Sequence, residues 1–163
     1  MKIDTRRRMT GTLTALAILV AAEVSSAGTL YGVAGNGSNP GVPGALLIVD
    51  QVTGIATFVG DPITPGGLSG LDFTGVGELY GSTISGSRST STLVRIDWAT
   101  GVLLQTVGPI RNGPTGAGIS ISDLAVQPGT NALFGIQSKA DDSGGAGLLY
   151  KIDPGTGVAT LVG

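Results

Sequence analysis

"LLYKIDPGTGVATLVG" closes the chain at residues 148–163, and near copies stand upstream: "LLIVDQVTGIATFVG" at 46–60 and "LVRIDWATGVLLQTVG" at 93–108. A second element alternates with it: "GTLYGV" from Gly28, "GELYGST" from Gly77 and "NALFGIQS" from Asn131. Ahead of the last two lie "GLSGLDFTG" (67–75) and "ISISDLAVQPG" (119–129). The order is fixed: an S-x-L strand, a tight turn, an LYG strand, a variable loop, an L-x-x-I-D strand, a D-x-x-T-G turn and an A-T/L-V-G strand. The LYG elements recur at spacings of 49 and 54 residues, and the Ile/Val-Asp pairs at 47 and 56.

A self-similar period near this length marks a propeller or a solenoid. Each segment is short, alternating or β-branched, and bounded by glycine, which selects strands over helices. Four antiparallel strands joined by hairpins make one propeller blade. The expected fold is therefore all-β: a partial β-propeller of about three four-stranded blades, 28–60, 61–108 and 109–163. The first would lack its innermost strand, giving eleven strands in all. Three blades are too few to close a ring, so the sequence reads as a piece of a longer propeller, or as copies that associate through open blade edges.

The D-x-x-T-G turn has a mechanical reading. Asp50, Asp97 and Asp153 can accept hydrogen bonds from backbone N–H groups two and three residues on. Thr53, Thr100 and Thr156 bring a hydroxyl to the same loop. Gly54, Gly101 and Gly157 can take the positive φ that closes a bulged hairpin. A calcium site needs six to eight oxygens, and one carboxylate per turn falls short. These nine residues are thus expected to be structural.

The N-terminus reads differently. Lys2, Arg6, Arg7 and Arg8 precede the ten-residue apolar run "LTALAILVAA" at Leu13–Ala22, and Ser25 and Ala27 are small residues spaced for cleavage. That is a secretory signal peptide over residues 1–27, since a membrane span needs about 20 apolar residues. "TRRRM" at Thr5–Met9 leaves Sec and twin-arginine export both open. The protein is expected to be secreted or periplasmic, with no membrane span after removal of the signal. The remaining 136 residues carry five basic against nine acidic side chains and no Cys. No basic stripe is present to neutralise phosphates, so nucleic acid is excluded as an expected partner. Without disulfides the domain must rely on core burial.

Strands alternate in direction, so connections alternate between two faces. One face collects tight turns, "FTGVGE" (73–78) and "QPGTN" (127–131) among them. The other collects "GNGSNPGVPG" (35–44), "DPITPGG" (61–67), "SGSRSTS" (85–91), "PIRNGPTGAG" (109–118) and "KADDSGGAG" (139–147). Long, variable loops on one face are where such scaffolds bind, and an unknown protein or glycan ligand is expected there. Solvated spacers are the competing reading.

The LYG and L-Y-K-I-D-P-G-T-G-V-A-T-L-V-G pattern, behind an S-x-L strand, resembles the repeats of secreted bacterial β-propeller proteins, and the resemblance covers Gly28–Gly163. It implies the fold and is silent on activity. The quinoprotein dehydrogenases also carry a D-x-x-x-G turn, but there a docking tryptophan follows. Here "IATFVG", "VLLQTVG" and "VATLVG" follow, and the sole Trp98 sits inside a turn. Neither pyrroloquinoline quinone nor any other cofactor is expected.

With no His and no Cys, nucleophilic triads and zinc sites with imidazole or thiolate ligands are excluded. "GNGSNPG" lacks the lysine of a phosphate loop. The carboxylates Asp61, Asp72, Glu78, Asp123, Asp141 and Asp142 remain. Asp72 and Asp123 occupy the same place in successive innermost strands by eye, facing a channel or binding backbone. Asp141 and Asp142 read as solvated. Tyr31, Tyr80 and Phe134 recur with the period and read as packing between blades. The expected function is an exported, non-catalytic binding or interaction module. A carboxylate-dependent polysaccharide hydrolase or lyase and a structural surface protein are the alternatives.

Overall fold

Gly54, Gly101 and Gly157, at φ +72°, +72° and +76°, each reverse the chain between two strands, and the sheets are built outward from these reversals. The computed structural model describes residues 28–35, 42–62, 67–83, 90–138 and 147–163. The segment 1–27, read as a signal peptide, lies outside them, as do 36–41, 63–66, 84–89 and 139–146 with Asp141 and Asp142.

The described residues form twelve strands and no helix. Leu30–Val33 (β1), Leu46–Val49 (β2) and Ala56–Gly60 (β3) make a first sheet in the order β1-β2-β3. Leu68–Phe73 (β4), Leu79–Thr83 (β5), Thr92–Ile96 (β6) and Leu103–Pro109 (β7) make a second, again in chain order. Arg111–Asn112 (β8), Ile121–Gln127 (β9), Ala132–Gln137 (β10), Leu149–Ile152 (β11) and Val158–Leu161 (β12) make a third, in the order β8-β12-β11-β10-β9. The first two sheets are antiparallel meanders, while β8 joins β12 in parallel, pairing Arg111 with Val158.

The expectation of eleven strands needs one correction, and β8 is the reason. The chain leaves the rim of the second sheet at Pro109 and immediately pairs with the rim of the third before crossing to β9. "PIRNGPTGAG" is therefore no irregular loop. Asn112 N–H donates to Ala117 O (2.9 Å) and Gly116 N–H to Asn112 O (2.7 Å), with Gly116 at φ +69°. This is the D-x-x-T-G hairpin rewritten as N-x-x-T-G.

One register runs through all three sheets. Leu30 faces Val49, Leu79 faces Ile96, and Leu133 faces Ile152. Tyr31, Tyr80 and Phe134 are accordingly equivalent, as are Leu46, Leu93 and Leu149. Strand side chains alternate between faces, so each sheet has a front, carrying the Tyr/Phe position, and a back, carrying the Leu before it. The front of the first sheet packs on the back of the second, where Leu46, Leu68, Leu79, Val94 and Ile96 are buried with Tyr31 against them. The front of the second packs on the back of the third, joining Tyr80 and Leu93 to Ile121, Leu133, Tyr150 and Ile152. Glycine in the LYG position makes room for side chains of its own sheet: a Cβ on Gly135 would stand 2.8 Å from Ile152 Cδ1 and 3.1 Å from Ile121 Cδ1.

Candidate functional site

The nine residues singled out from the D-x-x-T-G turns repeat one geometry. Asp50 Oδ1 accepts from Val52 N–H (2.9 Å) and Thr53 N–H (2.7 Å). Asp97 Oδ1 accepts from Ala99 N–H (2.9 Å), and Thr100 Oγ1 donates to Asp97 Oδ2 at 2.9 Å. Asp153 Oδ1 accepts from Gly155 N–H (2.8 Å). In each turn the threonine hydroxyl also accepts from the residue two further on, Ile55, Val102 or Val158. Hydrogen bonds to the charged form favour ionisation. The Thr53 N–H, then its hydroxyl, holds the Asp50 carboxyl below its ordinary value. The Ala99 N–H, followed by the Thr100 hydroxyl, does the same for Asp97.

Two of these turns are also contact points between sheets. A Cβ on Gly60, at the end of β3, would collide with Thr100 O and lie 2.9 Å from Gly101 Cα. Gly108 and Pro109, at the end of β7, meet Thr156 and Gly157 in the same way. The outer strand of one sheet thus ends on the turn of the next, and at Gly60 that leaves no room for a Cβ.

Asp72 and Asp123 are not equivalent. Asp72 lies opposite Tyr80, while Asp123 lies opposite Ile136, the counterpart of Ser82. Cross-strand register puts alignment on aspartate two positions out: Asp123 matches Gly70, and Ala125 matches Asp72. Asp72 is a bridge. Its Oδ1 accepts from Phe73 N–H (2.7 Å) and its Oδ2 from Val126 N–H (2.6 Å) in the third sheet. Two serines complete the junction: Ser69 Oγ donates to Ile121 O (2.8 Å), and Ser91 Oγ accepts from Ile121 N–H (2.9 Å). Asp123 Oδ1 accepts only from Leu124 N–H (2.9 Å) among the described contacts. Asp61 sits half-buried just beyond β3.

Two recesses among the described residues lie at the tight-turn end. A groove of about 560 Å³ in the third sheet is lined by Asn131, Lys151, Ile152, Asp153, Pro154 and Thr160, among others. A smaller one of about 170 Å³ in the second sheet is lined by Gly77, Arg95, Ile96, Asp97, Trp98 and Leu104, with Glu78. Each residue of the smaller lining has a counterpart in the larger, so this is one groove, made twice. In the second sheet Trp98 narrows it and Arg95 Nη1 pairs with Glu78 Oε1 at 2.9 Å. In the third sheet Pro154 replaces Trp98 and Ala132 replaces Glu78, leaving Lys151 exposed with no ion pair among the described residues. Beside the smaller groove, burial and then the negative charge of Glu78 raise the Tyr80 hydroxyl above its usual pKa. Composition did not single out Lys151; only the repeat alignment, setting Lys-Ala where Arg-Glu stood, could have done so.

No family model, curated protein or solved structure matches the chain.

Proposed function

We propose that the chain is an exported, non-catalytic binding module on a β-propeller-type scaffold, and that it holds its ligand in the Lys151 groove. The single observation behind this reading is the doubled groove, closed by an internal ion pair and Trp98 in one sheet and open in the next, where Lys151 has no ion pair among the described residues. Its volume falls within the roughly 300–1,000 Å³ of small-ligand sites. Thr130, Asn131 and Thr160 add hydroxyl and amide groups around Lys151. Asp153 also lines the groove, its Oδ1 held by Gly155 N–H, and an acidic sugar would pair with Lys151, the one cation there, among several neutral hydrogen-bonding groups. The radial arrangement is supported by the repetition of one sheet-to-sheet contact, outer strand onto next turn. Export rests on the residues 1–27 signal. The expected long-loop face falls largely outside the described residues, and Arg88 marks it for testing.

A non-catalytic role is favoured by the use of Asp72. Both its oxygens accept backbone N–H groups, and the two-position offset from Asp123 removes the symmetry on which a carboxylate pair was imagined. A glycan array tests the proposal: acidic glycans are retained by the protein, released by Lys151→Glu and retained by Arg88→Glu. Absence of any acidic glycan among the retained ligands, or retention unchanged in Lys151→Glu, would refute it.

A further inference from the structure

The common register allows each sheet's front and back to be compared with its covered equivalents. On the back, Leu79 and Leu133 are both 0% exposed, while their equivalent Leu30 is 49% exposed. On the front, Leu46 and Leu93 are 0% exposed, while Leu149 is 38% exposed. Ser82 is fully buried and its counterpart Ile136 is 41% exposed. The glycines repeat the pattern. Gly101 and Gly157 are covered by the preceding sheet's last strand, but nothing lies within 4 Å of a Cβ on Gly54. Gly60 and Gly108 rest on the following turn, but nothing lies within 4 Å of a Cβ on Gly163. The back of the first sheet and the front of the third are two halves of a contact that the molecule already makes twice internally.

We infer that the front of the third sheet docks the back of the first sheet of a second copy of this chain, head to tail. Leu149, Ile136 and Phe134 would cover Leu30, and Gly163 would rest on the partner's Thr53–Gly54 turn. The polar groups at this front select the first sheet over a sheet with an inner strand. In the second sheet, Asp72 and Ser91 bond the backbone of β9, and Gly70 leaves room for it, since a Cβ there would stand 2.7 Å from Asp123 Cα. On the third sheet the matching residues are Ala125, Gly147 and Asp123. Two of the three side-chain bonds to an inner strand are gone, only Ser69 keeping a counterpart in Ser122, and Asp123 brings a side chain where Gly70 has none. Among the described residues no strand lies inside β1 in the first sheet to call for those bonds. Ala125, Phe134, Ile136 and Leu149 line, together with Asp123, a largely apolar hollow of about 100 Å³.

Reciprocated by two copies, the contact brings six sheets together, within the range of closed propellers. It is independent of what the Lys151 groove binds. The test is light scattering on the protein purified from an exporting bacterium, with its ends checked by intact mass. The expected mass is twice that of one chain. Leu149→Asp and Leu30→Asp should each raise the dissociation constant by at least roughly tenfold. Their circular dichroism should not change, because both side chains are already exposed in the single chain. Val76→Asp, an exposed apolar residue away from both faces, should leave the mass unchanged. An equimolar mixture of Leu149→Asp and Leu30→Asp should recover two-chain complexes, since each pair retains one unaltered contact. A single-chain mass for the unaltered protein, a complex indifferent to both substitutions, or a mixture that stays apart would each overturn the inference.

Discussion

At the scale of the residue, one hydroxyl or carboxylate often satisfies backbone that a neighbouring strand would otherwise pair. Ser91 is 0% exposed and accepts the Ile121 N–H. A buried donor left without a partner costs about 1–3 kcal/mol, so Ser91→Ala should lower stability by that amount in urea unfolding. Asp72→Ala removes an acceptor from both Phe73 and Val126 N–H and should cost about 2–3 kcal/mol, in the range of hydrogen bonds to charged groups. The turn aspartates impose a pH dependence. Asp50 and Asp97 have depressed carboxyl pKa values in the fold, so the unfolded chain takes up their protons first as pH falls. Their contribution is complete above the unfolded value of about 4 and is lost as pH drops through the folded values. The melting temperature should therefore fall below about pH 4, and Asp50→Asn with Asp97→Asn should flatten that fall. Asparagine still accepts the turn hydrogen bonds, as Asn112 does from Thr115 N–H at 3.4 Å.

At the scale of the element, the turn glycines have two distinct duties that substitution separates. Gly116 has φ +69° with open space around it, whereas Gly101 has φ +72° with Gly60 Cα 2.5 Å from the site of a Cβ. Gly116→Ala should cost only the left-handed penalty, roughly 1–2 kcal/mol. Gly101→Ala must also push β3 away and should cost at least about 2 kcal/mol more, measured by thermal or urea unfolding. Much of the element level is legible in the one-dimensional pattern. Strand type follows from period-two alternation, and the D-x-x-T-G spacing puts an acceptor two and three residues before the amides that need it. Two features were hidden. N-G-P-T-G was masked by its flanking glycines, which make it look like loop. The offset between Asp72 and Asp123 was masked because turn length, not residue identity, decides which positions are cross-strand partners.

At the scale of the molecule, the second sheet is the one with a neighbour on both faces. All five residues of β5 are buried, whereas β3 and β12 are largely exposed. In an array where each unit contacts only its neighbours, stability is carried by the interfaces. Amide hydrogen exchange should therefore be slowest in β5 and β6 and fastest along the edge strands β3 and β8. Equal protection across the three sheets would contradict that picture.

The sequence alone determined the local chemistry: strands where apolar residues alternate, reversals where Asp, Thr and Gly recur at fixed spacing, and three units because the pattern recurs three times. These properties depend on neighbours within a few residues and so can be read in order. Which carboxylate bridges two sheets, which cation lacks an acid, and which leucine of an equivalent trio is left in water were decided only by tertiary structure. Each depends on what a neighbouring sheet places opposite, and a linear pattern that repeats itself cannot distinguish a covered copy from an uncovered one.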